Sequence, residues 1–272
     1  MTSPRSFRAA RTLSALGLVT VTTFVGAQDA APASSPDPNA LQAVVGVAAV
    51  SAPRYAGSRR DRIQVLPVVS IAKGPWFIDT LRGVGAQYQT QGGFSVSEAL
   101  HYDFGRRDRD DGLRPGADEL RGMGDVPGSV VSRTIVAQQF SPVLSTSAEA
   151  EYSLRDGTHR ARFRAGLQWA LIQSDSDMLT WNADIHAGNA SFNQAYFGVS
   201  PLQATRTRFA PYRAAGGIYA YSSTLTWTHV FSPHWSTSVT LSGLRYTGKA
   251  SDSPIVARRT AVTSAVAMNY AL

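Results

Sequence analysis

What most constrains this chain is an alternation of apolar and polar residues that holds for about ten residues at a time. Between Leu144 and Leu154 the even positions read Leu, Thr, Ala, Ala, Tyr, Leu, while the odd positions from Ser145 to Arg155 read Ser, Ser, Glu, Glu, Ser, Arg. From His159 to Leu171 the apolar face moves to odd numbers (Ala161, Phe163, Ala165, Leu167, Trp169, Leu171), opposite Arg160, Arg162, Arg164 and Gln168. Leu179 to Ala187 and Trp235 to Leu241 repeat the pattern. A period of two sends successive side chains to opposite faces of a strand. Soluble β-sandwiches and lipocalin-like barrels share that period, but globular strands average roughly five or six residues. Alternation over about ten residues is what a tilted strand needs to cross a bilayer. The expected fold is therefore all-β, an antiparallel up-and-down transmembrane β-barrel.

The N-terminus fits an exported chain. Arg5, Arg8 and Arg11 form a basic region, Leu13 to Val25 an apolar core, and Val25-Gly26-Ala27 a small-residue cleavage site. These features predict a signal peptide over 1–27, followed by a disordered Pro/Ala/Ser-rich lead-in over 28–40 and the barrel over 41–272. Removing those three arginines lowers the formal charge from +7 to +4. With no cysteine in the chain, neither disulfides nor Cys-based metal clusters are available. The basic balance points to anionic partners. Nucleic acid is not expected outside the cytoplasm, which leaves phosphate-bearing lipids or cell-wall polymers.

Strands are expected near 41–50, 62–73, 75–89, 93–104, 126–139, 142–155, 159–173, 177–188, 214–231, 234–247 and 260–271. That is eleven, and single-chain bacterial barrels have even numbers. A fold-back near Arg82-Gly83 inside "PWFIDTLRGVGAQYQT" makes twelve, with ten as the alternative. Twelve places the four long connections (51–61, 105–125, 189–213, 248–259) on one side, the extracellular one. Asp156-Gly157 is a favoured type I′ hairpin turn. Such a turn sets Glu151 opposite Arg162 and Glu149 opposite Arg164, and predicts an ion-pair ladder in the lumen.

Several phrases form a set: "PRYAGS" (53–58), "YDFGRRDRDD" (102–111), "LRGMGDVPGS" (120–129), "QAYFGVSPLQA" (194–204) and "DSPIV" (252–256). In order and spacing they resemble the family of MltA-interacting protein and OmpV, over nearly the whole exported chain. Apolar side chains at Val266, Met268, Tyr270 and Leu272 resemble the C-terminal signal of outer-membrane proteins, although Phe is the usual last residue. "GSRRDR" departs from the family's usual acidic residues after Gly-Ser. The resemblance implies localisation in the cell outer membrane, no catalytic activity and no cofactor. It also implies a scaffold role in envelope organisation, since the namesake joins a lytic murein transglycosylase to a murein synthase. A narrow channel for small solutes is the alternative.

Candidate residues follow. Arg59, Arg60, Arg206, Arg208 and Arg213 lie in basic extracellular loops and are candidates to face lipopolysaccharide phosphates, which arginine binds bidentately. Tyr196, Phe197 and Val199 are candidates for a loop folded over or into the pore, with partner binding as the other reading. "DRDDG" (108–112) faintly echoes a calcium loop but lacks its further ligand spacing. Asn182, Asp184 and His186 share a lumen face, as any polar-lined barrel requires. His234 and Ser236, expected to face inward, form the sharpest enzymatic rival, a lipid-modifying site. H-x-S alone lacks the acid that would orient the base.

Overall fold

The structure, a computed structural model, describes residues 40–155, 157 and 159–272. The predicted signal peptide and nearly all of the lead-in lie outside the described residues. Twelve antiparallel strands follow one another round a closed barrel. They are β1 (Gln42–Pro53), β2 (Asp61–Lys73), β3 (Trp76–Asp79), β4 (Gly83–Gln89), β5 (Phe94–Asp103) and β6 (Ser129–Gln139). The ring continues with β7 (Leu144–Ser153), β8 (Ala161–Gln173), β9 (Asp177–Gly188), β10 (Gly217–Val230), β11 (Trp235–Tyr246) and β12 (Thr260–Ala271). β12 closes on β1, with Val47 opposite Met268.

Alternation decides the faces. Ile63, Val65, Phe163, Leu167, Trp169, Leu241, Val266 and Met268 are exposed on the outside. Ser145, Glu151, Thr180, Ser238, Thr240 and Asn269 are buried within. In a closed barrel every backbone polar group can pair with a neighbouring strand, which lets strands cross hydrocarbon. No helix of the described residues is long and apolar enough to cross a membrane.

The fold-back expected near Arg82-Gly83 is present. Asp79 Oδ1 accepts the N–H groups of Leu81 (2.8 Å) and Arg82 (2.9 Å), closing the turn between β3 and β4. Gly83 has φ +91°, and a Cβ there would lie 2.1 Å from the Leu100 carbonyl oxygen. Only glycine fits. The hairpin is short, so β2 pairs with β3 only from Ser70 to Lys73.

The β7–β8 register is the expected one: Glu149 lies opposite Arg164, Glu151 opposite Arg162 and Tyr152 opposite Ala161. Ser153 donates its N–H to the Arg160 carbonyl (2.9 Å). Asp156 and Thr158 of the turn lie outside the described residues, and Gly157 has the positive φ, +66°, that such a turn needs. One difference concerns 189–213, expected as plain loop. It contains α1 (Ala190–Phe197) and α2 (Pro201–Ala204), and α3 (Gly248–Ser251) sits in the last long connection. Asn189 caps α1 by accepting the Phe192 N–H, and Ser200 with Gln203 forms a capping box on α2.

Candidate functional site

Two regions stand out, a charged network in the lumen and a loop assembly in the long-loop mouth. In the lumen Arg164 Nη2 lies 2.6 Å from Glu149 Oε2, and Arg162 Nε donates to Glu151 Oε2. Arg133 on β6 also reaches Glu151, at 2.6 Å through Nη2, and stands 3.8 Å from Glu149. His101 Nε2 on β5 lies 3.7 Å from Glu151. The network therefore spans four strands. Arg133 and His101 were not expected from sequence. The connection at 140–143 carries no two-residue turn signature, so the β6–β7 register could not be read as β7–β8 was.

The mouth is built from all four long connections. Tyr55, Leu120, Met123, Val199, Phe209 and Ile255 pack into one apolar cluster. Phe197, 1% exposed, packs against the long-loop ends of β10 and β11, its ring 5.5 Å from Tyr219 and 5.8 Å from Tyr246. The adjacent Tyr196 hydroxyl donates to Asp103 Oδ2 (3.1 Å) at the end of β5, on the far side of the ring. Burial, reinforced by Asp103, pushes the Tyr196 hydroxyl well above its ordinary pKa and keeps it a donor. The end of α1 thus crosses the mouth. Arg106 Nη1 donates to the Tyr196 carbonyl (3.1 Å), Ser253 Oγ to the Phe197 carbonyl (2.5 Å), and Gln203 Nε2 to the Met123 carbonyl (2.6 Å). These bonds tie the loops together.

The rim arginines divide into two groups. Arg59 Nε donates to the Ala257 carbonyl (2.9 Å). Arg60 pairs with Glu119 (3.0 Å) and Asp110 (3.7 Å). Arg206, Arg208 and Arg213 are exposed and have no carboxylate within ion-pairing distance among the described residues; Arg208 lies over the Phe209 ring. The acids of "DRDDG" organise their own loop. Asp108 Oδ2 accepts the N–H groups of Gly122 and Gly124, and Asp111 Oδ1 those of Leu113 and Arg114. Among the described residues no group of three or more His, Asp or Glu side chains could hold a metal.

The catalytic candidates lack a working order. His186 Nε2 lies 2.8 Å from Ser222 Oγ, and it is that hydroxyl, not the imidazole, that meets Asp184 Oδ2 (3.4 Å). Among the described residues no carboxylate orients the imidazole as a base. His234 corrects the expectation of an inward side chain. It is exposed in the short turn before β11, where its Nδ1 meets the Ala271 carbonyl (3.0 Å) and its ring stacks on Tyr270. The turn carries it past the end of the barrel wall. No hydrogen bond joins it to Ser236 among the described residues.

A carboxylate stands in an apolar row of the outer face. Glu98, midway along β5, lies opposite Ala86 and Thr134, in the same outward row as Phe94, Leu100 and Tyr102. Ser132 Oγ donates to its Oε1 (2.5 Å) and Thr134 Oγ1 to its Oε2. The signal was present in sequence, because the even positions from 94 to 104 read Phe, Val, Glu, Leu, Tyr, Phe.

A closed ring of twelve antiparallel strands, apolar outside and polar within, is a β-barrel of the outer-membrane type. The sequence profile of the family described as MltA-interacting protein MipA matches residues 45–272, which is nearly the entire described chain. The protein belongs to that family. Comparison with curated proteins gives no match. Solved barrels are similar in outline only. The NanC porin is 8% identical with a TM-score of 0.42, covering 85% of this chain and 100% of that one. An outer membrane channel from Pseudomonas putida F1 is 11% identical with a TM-score of 0.43, covering 89% and 100%. Neither likeness bears on function.

Proposed function

We propose that this protein is a non-enzymatic scaffold of the cell outer membrane, exported by its N-terminal signal, whose barrel anchors an assembly concerned with murein. The long loops then face outward and the short turns face the periplasm. The observation that carries the reading is the interlocked mouth. Tyr196 and Phe197 hold opposite sides of the ring, and the ion pairs of Glu149 and Glu151 occupy the lumen below. A barrel so filled is suited to holding a position in the membrane. The partners that the family description suggests are murein enzymes, a lytic transglycosylase first among them. Affinity capture from envelopes with the full protein tests the proposal: murein enzymes should be recovered, and recovery of none would overturn it.

A second reading, a narrow channel for small solutes, is favoured by one observation. Thr224, Thr226, Thr240 and Ser242 line the inner wall as hydroxyl pairs, at 2.8 Å for Thr224–Ser242 and 3.2 Å for Thr226–Thr240. Planar-bilayer recording separates the readings, since a scaffold with a filled mouth gives no steady conductance.

A further inference from the structure

We propose that the barrel wall has a lateral opening between β2 and β5, in the half nearer the long loops, and that it admits an amphiphile with an acyl tail and an anionic head group. This goes beyond the scaffold reading and depends only on the barrel lying in a membrane.

The opening follows from the short β3–β4 hairpin. Val69 accepts the Thr80 N–H (2.9 Å) and donates to Thr80 Oγ1 (3.0 Å), so the backbone groups of odd-numbered β2 residues point toward β3. Arg60 accepts the Arg54 N–H (3.0 Å), so those of even-numbered residues point toward β1. Above Val69 there is no β3. The edge groups of Asp61, Ile63, Val65 and Pro67 have no hydrogen-bond partner among the described residues. On the other bank the β4–β5 ladder ends at Val84–Leu100, which leaves the Tyr102 backbone facing the same gap. Two strands are missing there, so three inter-strand spacings of about 4.8 Å give a span of roughly 14 Å.

The rim and the interior behind it differ in chemistry. Ile63 is 78% exposed, Val65 69% and Leu113 82%, and Tyr102 and Phe104 are also exposed. Leu113 belongs here because Gln64 Nε2, on the inner face of β2, donates to the carbonyls of Gly112 (3.3 Å) and Leu113 (3.0 Å). Behind this apolar rim stands Arg62, also on the inner face. Arg62 is partly exposed as a residue, but among the described residues its buried Nε and Nη1 have no hydrogen-bond partner and no carboxylate lies within ion-pairing distance. A guanidinium with two buried nitrogens left without partners calls for an anion, and an exposed apolar rim on a membrane barrel calls for hydrocarbon. One molecule supplies both.

An added polypeptide strand fits the edge less well. Pro67 has no N–H to give and Asp61 puts a charge on the edge, two devices that discourage strand pairing. The head group can be a carboxylate, as in a free fatty acid, or a phosphate, as in a membrane lipid.

The test uses the full protein in native envelopes, with a benzophenone side chain at Leu113 or, as the bulk-lipid control, at Val266 on β12. Acyl adducts at 113 should exceed those at 266 several-fold, and their mass tells fatty acid from phosphate-bearing lipid. Arg62→Gln should lower the yield at 113 at least threefold and leave 266 unchanged, whereas Arg62→Lys, which keeps the charge, should retain most of it. Heat-modifiable electrophoretic mobility confirms that each variant is folded. Equal yields at both positions, indifference to Arg62→Gln, or a polypeptide adduct at 113 would each overturn the proposal.

Discussion

At the scale of single residues, Glu98 and Glu151 show how the same side chain takes different meanings on the two faces of one wall. Glu151, 4% exposed, is surrounded by Arg133, Arg162 and His101, so its charge is matched inside. Among the described residues Glu98 has only the hydroxyls of Ser132 and Thr134, in a row otherwise apolar. An arginine at the bilayer midplane costs about 2–4 kcal/mol on the lipid face of a barrel, and a carboxylate less. Glu98→Leu should therefore raise the urea midpoint for unfolding from liposomes, since both hydroxyls can turn to backbone carbonyls. A lower midpoint would show that the carboxylate stabilises the wall. The inner ladder was legible because Asp156-Gly157 lies between two strongly alternating runs and fixes their pairing. Arg133 was not, because nothing in "FSPV" sets the next register. Glu98 was legible in principle, as the one acid in an apolar row.

Among the elements, the loop helices depart most from the sequence reading. Their signals are local: Asn189 at an N-cap, and Ser200 three residues before Gln203 with Pro201 between them. In a chain dominated by alternation, eight and four residues of helix leave little periodic trace, so only the caps could announce them. What α1 does depends on both its ends, and deleting 193–201 should remove the contacts of Tyr196 and Phe197 together. Steady single-channel conductance should then appear in planar bilayers while the barrel still folds; an unchanged closed trace would mean that another element fills the mouth. The acidic loop gives a second prediction at this scale. Asp111 is held below its ordinary 3.8 by the N–H groups of Leu113 and Arg114, and Asp118 by the Asp110 N–H and by Arg121. A depressed folded pKa adds order that is present above 3.8 and is lost as pH falls below it. Amides of 108–125 should exchange faster at pH 3 than at pH 6 after correction for intrinsic rates, and strand amides should not.

For the molecule as a whole, twelve strands were legible because parity gathers every long connection on one side, a condition that eleven strands cannot meet. The gap beside β2 was not legible, since it depends on how far the β3–β4 hairpin climbs and alternation does not report hairpin height. Charge was legible only in part. Loop totals treat every arginine alike, yet Arg60 is neutralised by Asp110 and Glu119 while Arg206, Arg208 and Arg213 stand exposed with no acid within ion-pairing distance among the described residues. If the long-loop rim binds lipopolysaccharide phosphates, the second group must supply the attraction. Arg206→Glu with Arg208→Glu should then weaken lipopolysaccharide binding several-fold at low salt and much less at high salt, because exposed charges are screened within about 8 Å at physiological ionic strength. Arg60→Glu should instead loosen the loop assembly, putting a like charge beside Asp110 and Glu119, and should raise conductance before it alters binding. Unchanged binding by the Arg206/Arg208 variant, in a surface-immobilised lipopolysaccharide assay, would remove the rim from any account of how this barrel meets its membrane.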